Sequence, residues 1–178
     1  RVTTREAIKW IQSHRGADRF FLFLHYIDPH APYVPPPRFA KTFPDQPYLG
    51  EVAFVDAQVG RLMRFMEKEK LLGGTLWIVT SDHGEGLAQR RKRYSGHGDT
   101  FEEGLHVPLF IRFPDGLHAN TRVQDMVSHV DVMPTVLDYL GHPSEDRFPG
   151  YSLLAGRPEG SMLVAGGEKM EVIYRWPY

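Results

Sequence analysis

An α/β fold is predicted for these 178 residues, and three observations predict it. Apolar runs of strand length, at 20–26, 75–80 and 107–112, end abruptly in polar residues. Helical stripes at three- and four-residue spacing alternate with them, and clusters of proline and glycine separate the two patterns. Runs so rich in Phe, Val, Ile and Leu read as strands buried on both faces, as in parallel sheets, where ligands bind just beyond the carboxyl ends.

Thr3 and Glu6 have capping-box spacing ahead of an Ala7, Ile8, Ile11 stripe, which predicts a short helix over 4–14. The run Phe20 to Tyr26 is the first strand, and His25 inside it reads as a core histidine. A proline-rich loop follows from Pro32 to Pro47. Val52, Val55, Val59, Leu62 and Met66 then mark a helix from about Leu49 to Lys70, ended by Gly73 and Gly74. The strand at 75–80, a long polar loop at 84–104 and the strand at 107–112 complete the visible sheet. A last helix spans about Val132 to Tyr139, with Asp131 as its N-cap and Gly141 at its C-terminal end. Met162 to Ala165 and Val172 to Trp176 are two further short strands.

The strand ends carry the chemistry. Leu76-Trp77-Ile78-Val79-Thr80 runs into Ser81-Asp82-His83-Gly84, which sets an anionic oxygen beside an imidazole nitrogen, a pair suited to a divalent cation, with Gly84 easing the turn. The alternative for Asp82 is a capping role in a polar loop. His30 sits between Pro29 and Pro32, which forbid both helix and ladder, so it is held on a stiff loop. Its ring either faces a substrate or packs on Tyr33 or bonds a carbonyl. His97, flanked by Gly96 and Gly98, is either a functional ring or a loop-stabilising one. His129 and Asp131 are expected to cap and orient the last helix, and His106 has no evident partner.

With 21 Lys+Arg against 22 Asp+Glu the charge argues against bulk nucleic-acid binding, and zero cysteines excludes disulfides within the segment. No apolar run is long enough to span a membrane. G-x-S-x-G, G-x-x-x-x-G-K-[ST], H-E-x-x-H and G-x-G-x-x-G are all absent, which removes support for serine hydrolases, P-loop enzymes, zincins and dinucleotide binders. The basic run Arg90-Arg91-Lys92-Arg93 either draws polyanionic substrates or is a solvated loop.

The ordered series FFLFLHYIDPHAPYVPP, YLGEVAFVDAQVGRL, LWIVTSDHGEG, GHGDTFEEGLHVPLFIR and VSHVDVMPTVLDYLG resembles the sulfatases of the alkaline-phosphatase superfamily, over about residues 3 to 155. The resemblance implies a three-layer α/β/α sandwich, incomplete here, with residues 1–155 as the second half of the catalytic domain and 156–178 as the start of a small carboxy-terminal antiparallel sheet. It implies hydrolysis of sulfuric esters by the complete parent enzyme, one divalent metal, calcium by resemblance, and a small-molecule or glycan sulfate ester as substrate. It also implies a periplasmic, extracellular or lysosomal setting.

By the same resemblance, Asp82 and His83 match metal ligands, His30 matches the histidine that contacts the sulfate and protonates the leaving oxygen, and His97 matches a position often filled by lysine that holds a sulfate oxygen. The family's acidic pair and its Cys- or Ser-x-Pro-x-Arg motif, source of the formylglycine nucleophile, have no counterpart here. The isolated chain is therefore expected to be inactive, and a sheet without its neighbours is expected to be marginally stable. Two alternatives stand beside this reading. One is a phosphate or phosphonate ester hydrolase, or a phosphoethanolamine or glycerophosphate transferase, of the same superfamily, using zinc or manganese. The other is a catalytically inactive, truncated or degenerate fragment.

Overall fold

The structure is a computed structural model that describes residues 2–16, 19–87, 95–96, 101–142, 148–166 and 171–175. The chain forms two units, Arg1–Leu76 with Phe113–Leu117, and Trp77–Arg112 with His118–Tyr178.

In the first unit α1 (Val2–Ser13) buries Thr4, Ala7 and Ile11, the i, i+3, i+7 face of one helix. It begins ahead of the expected capping box. The Thr4 hydroxyl bonds instead to the Tyr26 hydroxyl at 2.8 Å, tying the helix to the segment 22 residues on. That segment corrects an expectation. Residues 20–26 form no strand and join no ladder among the described residues, and their exposure alternates: Leu22, Leu24 and Tyr26 are half-buried, whereas Phe21 is 87% and Phe23 78% exposed. His25 lies on the exposed side too, so it is not a core histidine. An apolar run of strand length is not enough, because a strand needs a neighbour's N–H and C=O groups.

The proline-rich stretch is not all loop. Pro37–Thr42 forms a short helix, α2, started by proline at its first turn, and Phe39 packs edge-on against Phe54 at 5.7 Å. The long helix α3 (Pro47–Lys68) likewise starts on a proline, and its buried residues are Gly50, Glu51, Phe54, Leu62 and Met66. The expected stripe is right at Leu62 and Met66 but out of phase earlier, since Val52 is exposed and Glu51 takes the buried face. Gly73 and Gly74 do not end the helix. Lys70 does, with φ 60°, as the Lys70 N–H donates to the Glu67 carbonyl at 2.9 Å and the Leu71 N–H to the Met66 carbonyl at 2.8 Å.

In the second unit β1 (Trp77–Thr80) pairs with β4 (Leu109–Arg112), β2 (Gly86–Leu87) with β3 (Ser95–Gly96), and β5 (Met162–Gly166) with β6 (Glu171–Arg175). All three pairs are antiparallel, with Trp77 opposite Arg112 and Thr80 opposite Leu109. The expectation of a parallel partner for β1 fails in this pair, because an apolar run reports burial and says nothing about the direction in which the chain returns. α4 (Glu102–Leu105) and α5 (Val132–Tyr139) are short. Gly141, at φ 76°, ends α5 as expected. No helix among the described residues is long and apolar enough to cross a membrane.

The carboxyl of Asp131 organises the rest of this unit. It is fully buried, accepts hydrogen bonds from the Ser128 N–H at 2.8 Å and the Tyr151 N–H at 2.9 Å, and pairs with the Arg157 guanidinium. It makes no side-chain capping bond to α5, contrary to expectation, and is spent on the turn before that helix. With Ser128 it closes a capping box on the 3₁₀ turn His129–Asp131, and it pins the segment after Gly150 to that turn. Thr135 relays the same lock, donating to the Asp131 carbonyl at 2.6 Å and accepting from the Leu153 N–H at 2.9 Å.

Candidate active site

β1 ends at Thr80, and the next three residues form a tight polar turn. The Asp82 carboxylate accepts from the His83 N–H at 3.0 Å, and the Ser81 hydroxyl donates to the His83 carbonyl at 2.8 Å. Burial alone pushes the Asp82 carboxyl up, but hydrogen bonding, chiefly from the His83 amide, outweighs it and holds the group below the ordinary carboxylate range. Because the folded value is lowered, these bonds add stability above that range and lose it as pH falls through the lowered value.

The ring of His83 lies with Nδ1 2.8 Å from the Gly84 carbonyl, which only accepts, so Nδ1 carries the proton and Nε2 the lone pair. Nε2 stands 3.8 Å from the second carboxylate oxygen of Asp82. An ionised oxygen and a neutral imidazole nitrogen at that spacing suit a single cation held at about 2.0–2.6 Å from each. Two donors do not fill a coordination shell, and no group of three or more potential ligands occurs among the described residues.

Gly84 proves necessary for a reason other than the expected one. Its φ is not in the left-handed region; instead its N–H donates to the Gly104 carbonyl at 2.8 Å, and a Cβ there would overlap the Glu103 carbonyl oxygen. The α4 turn is thereby laid against the Asp82–His83 loop. Gly84→Ala should cost about 1–3 kcal/mol and disturb the pair of donors. An unchanged unfolding midpoint would refute the close approach.

The neighbouring histidines also find their places. His129 Nε2 bonds the Thr80 hydroxyl at 3.1 Å, and that hydroxyl donates to the Pro108 carbonyl at 2.9 Å, so His129 braces the end of β1 rather than only capping a helix. His106, which lacked an evident partner, pairs with Glu102 one helical turn back at 2.9 Å, on the surface where such a pair contributes little. His97 and the basic run at 90–93 lie outside the described residues.

His30 belongs to the first unit. Its exposed ring sets Nδ1 2.7 Å from the Ala31 carbonyl, so Nδ1 holds its proton and Nε2 is the nitrogen that exchanges one. The carbonyl partner matches one of the alternatives for this ring; Tyr33 packs on Tyr48 at 5.5 Å, edge to face. The loop itself is held by a residue that the sequence reading missed. Glu51, 2% exposed on α3, accepts the His30 N–H at 3.0 Å on one oxygen and the Val34 N–H at 2.6 Å on the other. Its signal was available: a glutamate in phase with Phe54, Leu62 and Met66, on the face that is otherwise apolar.

The sulfatase family model matches residues 1–142, and the chain belongs to the sulfatase family. Arylsulfatase K of Bos taurus is 39% identical over 127 residues, covering 71% of this chain and 22% of that protein. Among solved structures, yidJ of Bacteroides fragilis, a protein of sulfatase type, superposes with a TM-score of 0.77 at 19% identity, over 92% of this chain and 43% of that one. The phosphonate monoester hydrolase of Agrobacterium radiobacter gives a TM-score of 0.58 at 34% identity, over 67% of this chain and 24% of that one. The first agrees in fold with the expected alkaline-phosphatase-like architecture. The chain spans about a fifth of the length of the curated relatives it matches. The family is one of metal-dependent hydrolases.

Proposed function

We propose that the complete parent protein hydrolyses sulfuric esters and that this chain supplies the second half of its catalytic domain, residues 1–155, and the start of a carboxy-terminal subdomain, 156–178. The observation that carries the reading is the ionised Asp82 carboxylate 3.8 Å from the lone-pair nitrogen of His83, at a strand end in a chain of this family. These two residues would hold one divalent cation, calcium by family resemblance, whose chemistry is to neutralise negative charge at the reacting ester. The remaining ligands and the nucleophile come from outside these 178 residues.

His30 serves as the general acid in this reading. When the S–O bond breaks, its electron pair goes to the alcohol oxygen, and the proton on His30 Nε2 passes to that oxygen, while Nδ1 stays hydrogen-bonded to the Ala31 carbonyl and keeps the ring aligned. His97 holds a sulfate oxygen. His30→Ala should lower turnover of alkyl sulfates by about 100-fold or more and of nitrophenyl sulfate by less than about 10-fold, because a nitrophenolate departs without a proton. Equal losses on both esters would remove His30 from that role.

A phosphate- or phosphonate-ester reaction is the second reading, favoured by the 34% identity to a phosphonate monoester hydrolase. Assaying the full-length protein with matched nitrophenyl sulfate, phosphate and phosphonate esters separates the two. Preference for the sulfate supports the first reading, preference for a phosphorus ester the second, and no turnover of any ester the inactive alternative.

A further inference from the structure

We infer that Glu51 is the positioning residue for His30, a carboxylate clamp that holds the acid-bearing loop on the start of α3. The inference rests on the proposed acid role of His30 and adds to it the device that keeps the ring in place. A glutamate that is 2% exposed normally brings a cation with it, since burying a carboxylate alone is costly. Glu51 has none within salt-bridge distance among the described residues. Its two oxygens are spent on two backbone N–H groups of one loop, those of His30 and Val34. Charge-assisted bonds of this kind are about twice as strong as neutral ones, and they act on residues 21 and 17 positions away, so they fix a loop and not a helix turn.

The neighbouring residues show how tightly the loop is seated there. Gly50, next to Glu51, leaves room for Pro35, whose Cγ would come within 2.9 Å of a Cβ at that position. Tyr33, in the same loop, packs edge to face on Tyr48 at 5.5 Å. The His30 ring is exposed, with its backbone N–H held by Glu51 and its Nδ1 held by the Ala31 carbonyl. The two amides and Nδ1 are held while Nε2 stays accessible, which is what a general acid requires.

The test is made in the full-length protein. Glu51→Gln is isosteric but presents an amide N–H₂ to one of the two backbone donors, so it releases half of the clamp. It should lower kcat on an alkyl sulfate about 10-fold or more, lower kcat on nitrophenyl sulfate less than about 3-fold, and leave KM within about 2-fold. In a His30→Ala background the same change should have no further effect on the alkyl ester. Equal losses on both esters, or a full additional loss in the His30→Ala background, would make Glu51 structural only. If His30→Ala alone is unselective between the esters, the acid role falls, and this inference falls with it for a different, recognisable reason. Should the Glu51 variants fail to fold, hydrogen exchange of the unsubstituted protein decides: the His30 and Val34 amides are expected to be protected although His30 is exposed, and rapid exchange would overturn the clamp.

Discussion

Asp82→Ala is expected to abolish metal retention and with it activity, by about three orders of magnitude or more in kcat/KM. The carboxylate is kept ionised by hydrogen bonding, chiefly from the His83 amide, so it enters metal binding without a proton to lose. Alanine removes the oxygen that stands 3.8 Å from His83 Nε2 and also the acceptor that orders the His83 backbone. Of the two donors this chain offers, only the imidazole is left. Metal content of the dialysed full-length variant, measured beside its rate, is the decisive readout. An Asp82→Ala protein that keeps both its metal and its activity would end the assignment. Asp82→Asn, which keeps an acceptor oxygen without the charge, should fall between the two.

Asp131→Ala should be the most destabilising single change in the second unit, by about 3–5 kcal/mol. Its carboxylate is wholly buried and answers three donors at once, the Ser128 and Tyr151 amides and the Arg157 guanidinium, itself almost buried. Removing one partner leaves a cation and two N–H groups unpaired in a dry place, which costs far more than the pair itself contributes. Adding Arg157→Met to Asp131→Ala should recover part of the loss, because the uncompensated charge is then gone. Thermal or urea unfolding of the variants checks this, and a loss below about 1 kcal/mol for Asp131→Ala would show that the network is slack. Such a change would also reach the candidate site, since the turn that begins at His129 braces Thr80 at the end of β1.

Elements whose cause is local were legible in the sequence. The stripe through Leu62 and Met66 marked α3, Gly141 marked the end of α5, and the run closing on Asp82 and His83 marked a strand that delivers polar residues at its end. Helix ends set by other means were missed: α2 and α3 both begin on a proline within a stretch that reads as loop, and α3 stops at a left-handed Lys70 ahead of its glycines. Two of the site residues were visible as a pair because they are adjacent in the chain. The clamp on His30 was not, because its donor and acceptor lie 21 residues apart.

The sequence by itself determined the long helix, the strand that ends before Asp82, the adjacency of Asp82 and His83, and, through the order of five motifs, the family. Those properties follow from repeats of 2 and 3.6 residues and from short strings of side chains, all of which act over a few positions. Only the tertiary structure decided that β1 pairs antiparallel, that Phe21 and Phe23 face outward, that Gly84 serves a carbonyl and not a turn, and that Glu51 and Asp131 spend their charge on distant backbone amides. Each depends on where the chain returns after 17 residues or more, and a partner's position enters the energy only once the fold has brought it within hydrogen-bond or van der Waals reach.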